Sequence, residues 1–193
     1  MLYEQFIKQY VGYAAYHQDE RNEITHFFGV PPIMISILFV LMTEELRFGD
    51  LSVFGLPVGV SLIVFLVATL TWIALDFVLG ALVFLLFLPF MYLSVGWTDA
   101  LSLTMTILVF VLVQVASWAI QLVGHVFEGR RPRILENFFQ STLAMMFLVQ
   151  IVLNMLGLRK KMQARVDQEI DAWNRERGLV KGKAVEAIDA AQA

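Results

Sequence analysis

Residues 114–128 read QVASWAIQLVGHVFE, and this stretch decides the fold. Gln114, Ser117, Gln121, His125 and Glu128 follow one another at spacings of 3, 4, 4 and 3 residues, which puts all five on one helical face about 80° wide. Polar side chains in lipid are costly unless they face a bundle interior or a wet cavity. The stretch therefore predicts a membrane helix whose polar stripe points inward at a site. One of only three histidines stands at its end.

The rest of the chain agrees. Of 193 residues, 59% are hydrophobic and only 16% charged, with a mean hydropathy of +0.70, against roughly 25% charged residues in an ordinary soluble domain. Apolar runs cover residues 31–43, 58–95, 100–124 and 138–158, and a span takes about 20 apolar residues. The run over 58–95 is long enough for two short spans with a turn near residues 76–80. The fold class expected is all-α: a multi-pass transmembrane bundle of about five apolar helices. The sequence divides into a membrane catalytic domain over 1–158 and a charged cytoplasmic tail over 159–193.

Some 27 residues carrying six charges precede the first apolar run, so nothing there reads as a cleavable signal peptide. Leu2, Phe6, Tyr10, Tyr13 and His17 share one face, which predicts an N-terminal interfacial helix with its aromatic rings at headgroup depth. Pro31 and Pro32 are expected to open the first span, Glu44 to close it into a loop over 44–55, Pro89 to kink the third, and Thr98 or Asp99 to cap the fourth. A fifth apolar helix is expected over 137–158. The absence of cysteine excludes disulfides, thiolate metal sites and iron–sulfur clusters.

Charge placement orients the chain. The 14 Lys and Arg fall mainly at 130–133 and 159–183, so these segments are expected in the cytoplasm. Four crossings return the chain to its starting side, which gathers His17, His26 and His125 at one membrane face. A fully spanning fifth helix would carry the basic tail to the other side, so that helix is expected to be re-entrant or held within the bundle.

Taken singly, an interfacial histidine forms hydrogen bonds at headgroup depth. Three on one face suit one metal ion, for which neutral imidazole is a ligand of iron, zinc, copper or nickel. Glu128, one turn from His125, is either a fourth ligand or the partner of its ring N–H. Gln121, Ser117 and Trp118 are candidates for lining a substrate slot, together with Trp72, while Gln114 reads better as interhelical glue. Asp76, alone in its apolar run, is either functional or a turn residue exposed to water. Arg130 and Arg131 could clamp a carboxylate, whereas Arg133 and the Arg159, Lys160, Lys161 cluster read as lipid anchors.

Tyr16-His17, Asn22, His26, Gly29 and Pro31, followed by Trp118, Gln121, Gly124-His125, Phe127-Glu128, Arg131-Pro132 and Asn137, resemble the 2-hydroxy fatty acid dioxygenase family of small multi-pass membrane proteins. The resemblance covers most of the chain before the tail. It implies an iron(II)-dependent (Fe2+) dioxygenase of fatty-acid α-oxidation that removes one carbon, with His17, His26 and His125 as metal ligands. Beside it, Glu128 and Arg131 are the catalytic candidates, and Arg130, Arg131, Gln121, Ser117, Trp118 and Asn22 the candidates toward substrate. Arg133 and Ile134 stand where the family has Ala and Leu, a difference that bears on headgroup or chain preference.

The partners so implied are a 2-hydroxy fatty acid, molecular oxygen and membrane lipid, with no nucleic acid and with self-association into a homo-oligomer left open. The location is the inner membrane in a bacterium or the endoplasmic reticulum in a eukaryote. Two alternatives stand beside this reading. A zinc-dependent membrane lipid hydrolase could use Asp76 and Ser117, although it would carry paired histidines four apart, which this chain lacks. A channel or transporter could use the polar stripe as a path, with Pro89 and Gly96 as its breaks.

Overall fold

The computed structural model describes residues 2–129 and 140–176. Helix α1 covers Leu2–Ala14, α2 Glu20–Val40, α3 Val60–Leu75, α4 Phe77–Ala100, α5 Leu103–Glu128, α6 Gln140–Met155 and α7 Lys160–Glu176; a hairpin of β1 (Arg47–Val53) and β2 (Leu56–Gly59) joins α2 to α3. The fold is the all-α multi-pass bundle expected. Helices α2, α4 and α5 are long and apolar enough to cross a membrane, while α3 and α6 have 16 residues each.

The axis of the molecule is the α2–α5 pair, which small residues bring into close approach. A Cβ on Gly29 would stand 2.5 Å from Gln121 Cγ and 3.0 Å from the Ser117 carbonyl, and one on Gly124 would stand 1.9 Å from Thr25 Oγ1. In a membrane, where apolar side chains gain little by leaving lipid, such backbone proximity is what van der Waals packing requires. Gln114 crosses the same seam, donating to Ile33 O at 3.1 Å and Ser36 Oγ at 3.0 Å, in the role of glue expected of it. The other faces of α5 expose Leu112, Val115, Leu122 and Val126 as a lipid-facing surface.

Several boundaries differ from expectation. Helix α2 starts at Glu20, with Asp19 accepting from Arg21 N at 2.9 Å as its cap, and runs through Pro31 and Pro32 rather than starting there; packing on α5 holds the continuous helix. The segment expected as a loop is a hairpin, because Phe54 and Gly55, both with positive φ (51° and 78°), make the two-residue turn that strand twist favours. Ser102, not Thr98 or Asp99, caps α5, accepting from Met105 N at 3.4 Å. Asp99 instead pairs with Arg47 at 2.7 Å, holding the hairpin to α4.

The α3–α4 break falls at Asp76, inside the turn expected. Its side chain accepts from Leu79 N at 3.0 Å and is held by both terminal nitrogens of Arg159, at 2.7 and 2.6 Å. Arg159 is thus an internal ion-pair partner and not the lipid anchor expected. It lies in the bend of 118° between α6 and α7, where Gly157 and Arg159 both have positive φ. After the bend α7 returns along α1, burying Met162, Val166, Ile170 and Asn174 at a spacing of four. Aromatic residues of α1 are likewise buried, so α1 is a packed element rather than a helix open to headgroups on one face. Because α7 lies on α1, α6 does not carry the chain to the far end of the bundle.

Candidate functional site

The polypeptide positions the three histidines through three local devices. His17 follows α1 in a short turn, its Nδ1 2.8 Å from Tyr13 O. His26 sits in the second turn of α2, its Nδ1 2.8 Å from Asn22 O. His125 lies in the last turn of α5, which ends at Gly129 in the left-handed conformation. A carbonyl only accepts, so Nδ1 carries the proton in His17 and His26 and each Nε2 keeps its lone pair.

These nitrogens meet. His17 Nε2 and His26 Nε2 are 3.1 Å apart, and one ligand atom from each of His17, His26 and His125 falls within 4.8 Å of the other two. All three rings are buried, at 1%, 1% and 6% exposure. Tyr13 stacks on His17 at 4.2 Å and Phe147 approaches it at 5.5 Å, closing the cluster with aromatic faces. Burial, reinforced by the neighbouring His26, holds the His17 imidazole well below its ordinary pKa, so it is neutral at physiological pH.

The donor set fits a metal ion on two observations. Two unprotonated Nε2 atoms facing one another at 3.1 Å cannot share a hydrogen bond, and a cation between them removes the conflict; with metal–nitrogen bonds of about 2.1 Å, adjacent ligands stand about 3 Å apart. The Nδ1 of His125 is buried with no hydrogen-bond partner, an orphan that calls for an explanation. Among the described residues no carboxylate joins the group.

Glu128 has a different task from either one expected of it. Its Oε2 accepts from Gln18 N at 2.9 Å, Asp19 N at 2.8 Å and Asn22 Nδ2 at 3.2 Å. It thereby fastens the turn that carries His17 and the start of α2 to the end of α5 that carries His125. Arg21 adds to this joint by lying over the Phe127 ring at 4.6 Å. Asn22 is fully buried and its Oδ1 has no partner.

The other residues singled out from the sequence are spread along the seam. Ser117 and Gln121 are buried where α5 meets Gly29, and Trp118 Nε1 donates to Gln114 Oε1 at 3.1 Å. Trp72 belongs to the core, donating to Thr142 O at 2.8 Å, instead of lining a slot. Arg130, Arg131, Arg133, Ile134 and Asn137 lie outside the described residues. Sequence reasoning placed Tyr13 on the face of His17 without giving it the stacking role it has, and missed Phe147, the other aromatic wall, and the Gly29 and Gly124 contacts; the small residues facing the polar stripe were the signal for the latter. A cavity of about 210 Å³ opens onto His17, bounded by Tyr10, Gln18 and Glu23 on one side and by Asn154 of α6 and Gln163 of α7 on the other.

Comparison with known proteins meets this geometry from another side. The family model described as 2-hydroxy-palmitic acid dioxygenase Mpo1-like matches residues 3–156. The chain is 27% identical over 165 residues to the 2-hydroxy-palmitic acid dioxygenase MPO1 of Saccharomyces cerevisiae, covering 84% of this chain and 88% of that protein. No solved structure matches the chain. The matched segment takes in α1 through α6 with all three histidines and stops before α7, and on that extent the chain belongs to the Mpo1-like family.

Proposed function

We propose that the protein is an iron(II)-dependent dioxygenase that cleaves the C1–C2 bond of 2-hydroxy fatty acids and releases a fatty acid one carbon shorter. The observation that carries this reading is the convergence of three buried imidazoles with at least two Nε2 lone pairs free, and the family and its yeast relative supply the reaction class. His17, His26 and His125 would hold the ion. When bound, iron(II) gives access to oxygen chemistry and a Lewis-acidic seat for the substrate's carboxylate and 2-hydroxyl.

The remaining work falls to orientation by the chain. Glu128 acts as a positioning residue, keeping the His17 turn and α5 in fixed relation. Asn22 Oδ1 is free to accept from the substrate hydroxyl, and Arg130 and Arg131, directly after α5, are proposed to take the carboxylate in paired hydrogen bonds. Gln121, Ser117 and Trp118 continue the same face of α5 deeper into the bundle. The aromatic walls limit water around the reacting carbons. The arginines at 130–133 support a cytoplasmic location for this end of the bundle.

The test is the metal content of detergent-purified protein, combined with oxygen uptake on 2-hydroxypalmitate and on palmitate. About one iron per chain and uptake that needs the 2-hydroxyl are expected, with the chain-shortened acid as product. Zinc without uptake would move the assignment to a hydrolase, and retention of neither metal would return the histidines to a structural role. His125→Ala is expected to abolish iron retention and turnover while the protein keeps its helical content.

A further inference from the structure

Helix α3 stops short of its neighbours. It has 16 residues and begins beside Met91, where Ser61 Oγ donates to Leu38 O at 2.9 Å and lies 3.8 Å from Met91 Sδ, more than two turns before α4 ends at Ala100. The β1–β2 hairpin fills this step, at the end of the bundle away from the histidines. We propose that the hairpin is a membrane anchor, lying flat in the headgroup layer of that leaflet with Phe48, Leu51 and Phe54 against the first methylenes of the acyl chains. The inference is independent of the metal and of the reaction.

Two ties to α4 set the tilt of the hairpin. At its base Arg47 donates to Thr98 Oγ1 at 3.1 Å and to Asp99 Oδ1 at 2.7 Å, and at its tip Phe54 O accepts from the Tyr92 hydroxyl at 2.9 Å. Tyr92 stands about 10 Å nearer the middle of the bilayer than Asp99 along the axis of α4. A hairpin standing upright on the bundle would carry its tip about 20 Å beyond its base, the length of strand β1. The hairpin therefore lies along α4 instead of projecting into water, at the level of Tyr92 and Trp97, two exposed rings of the kind found at a membrane–water boundary.

The side chains agree with that placement. Leu51 and Phe54 are 66% and 91% exposed, Phe48 and Val53 about half exposed, and Tyr92 carries this patch into the lipid-facing surface of α4. The strands hold only two charges, Asp50 and Arg47, and Arg47 is paired with Asp99. Phe54 adopts a φ of 51° at the first position of a two-residue turn, where Asn, Asp or Gly is favoured and a bulky residue is strained. A strained aromatic that no protein covers is accounted for when lipid covers it. The strand edges limit the depth, because unpaired N–H and C=O groups are excluded from the hydrocarbon core and hydrated among headgroups.

The experiment places a nitroxide on a single cysteine at Phe48, Leu51 or Phe54 of the full chain, in vesicles of phosphatidylcholine and phosphatidylglycerol. Power saturation then compares collisions with oxygen, which concentrates in lipid, and with a nickel chelate, which stays in water. The ratio of oxygen to nickel collisions is expected to be several-fold higher at all three positions than at a label on Arg175, and lower than at one on Val115, in the lipid-facing surface of α5. A ratio equal to that at Arg175 places the hairpin in water and overturns the proposal. Low collision with both reagents, together with dipolar broadening between labels, means that a second copy covers the patch and also overturns it. Tyr92→Phe releases the tip, so the ratio at residue 54 is expected to fall toward the Arg175 value. No fall would mean that the label's own affinity for lipid sets the depth, and the proposed anchoring through α4 would be wrong.

Discussion

At the residue scale, the site is an exercise in removing alternatives. His17 and His26 each spend their Nδ1 proton on the carbonyl four residues earlier, so the Nε2 atoms have one role left. Because His17 is held well below its ordinary value of 6.5 by burial, the unfolded chain binds more protons than the folded one below that value. Stability of the metal-free protein is therefore expected to be flat above about pH 6.5 and to fall as pH drops below it. Melting curves in detergent with chelator, from pH 8 to pH 5.5, check this, and His17→Gln should make the dependence shallower. Glu128 bears on the same atoms at one remove: Glu128→Ala is expected to weaken metal retention by about 10- to 100-fold, the usual cost of losing an outer support. Glu128→Gln, which keeps one acceptor oxygen, should lose less, a difference a purely steric role would not produce.

At the scale of elements, periodicity made α5 and its inward face legible, since the stripe from Gln114 to Glu128 is a property of spacing alone. The histidine cluster was legible as a shared membrane face with Tyr13 beside His17, but Phe147 was not, because it lies 134 residues after Tyr13 and nothing in either segment announces the other. The start of α2 was misplaced because the prolines suggested a boundary that tertiary packing overrides. Gly124→Val tests that packing: with a Cβ already in collision with Thr25, α2 and α5 must separate, and both melting temperature and metal retention are expected to fall together. The Asp76–Arg159 pair, 5% and 19% exposed, escaped detection for a different reason, since an isolated charge in an apolar run does not say which distant residue neutralises it. Arg159→Ala leaves a buried carboxylate unpaired and is expected to cost about 3 kcal/mol, with Asp76→Asn/Arg159→Ala recovering part of the loss. Limited proteolysis that frees α7 in the single variant and not in the double one would show that the pair holds the bend.

At the scale of the whole molecule, α1, the three histidines, the Asp76 turn and α7 occupy one end of the bundle, and the β1–β2 hairpin occupies the other. The charge distribution of the sequence conflicts with a spanning last helix, and the bend of 118° after α6 lays α7 back along α1, an arrangement that would keep the tail on the side of the histidines. A chain with no cysteine is a convenient object for checking this. Single cysteines at Lys8 and Arg175 are expected to react with an impermeant maleimide from the same side of sealed vesicles, and a cysteine at Phe54, in the exposed hairpin turn, only from the opposite side. Labelling of Arg175 together with Phe54 would mean that α6 and α7 span as one.

His26 and His125 are separated by about a hundred residues of chain, nearly all of the bundle's helical hairpins. A single ion bound to both, and to His17, would act as a removable cross-link that closes this long loop and opposes the separation of the first span from the last. The force or the unfoldase activity needed to pull the protein out of its bilayer should then depend on whether the ion is present. Cellular abundance of the protein would follow iron supply, with starved cells clearing it by degradation before any loss of its transcript.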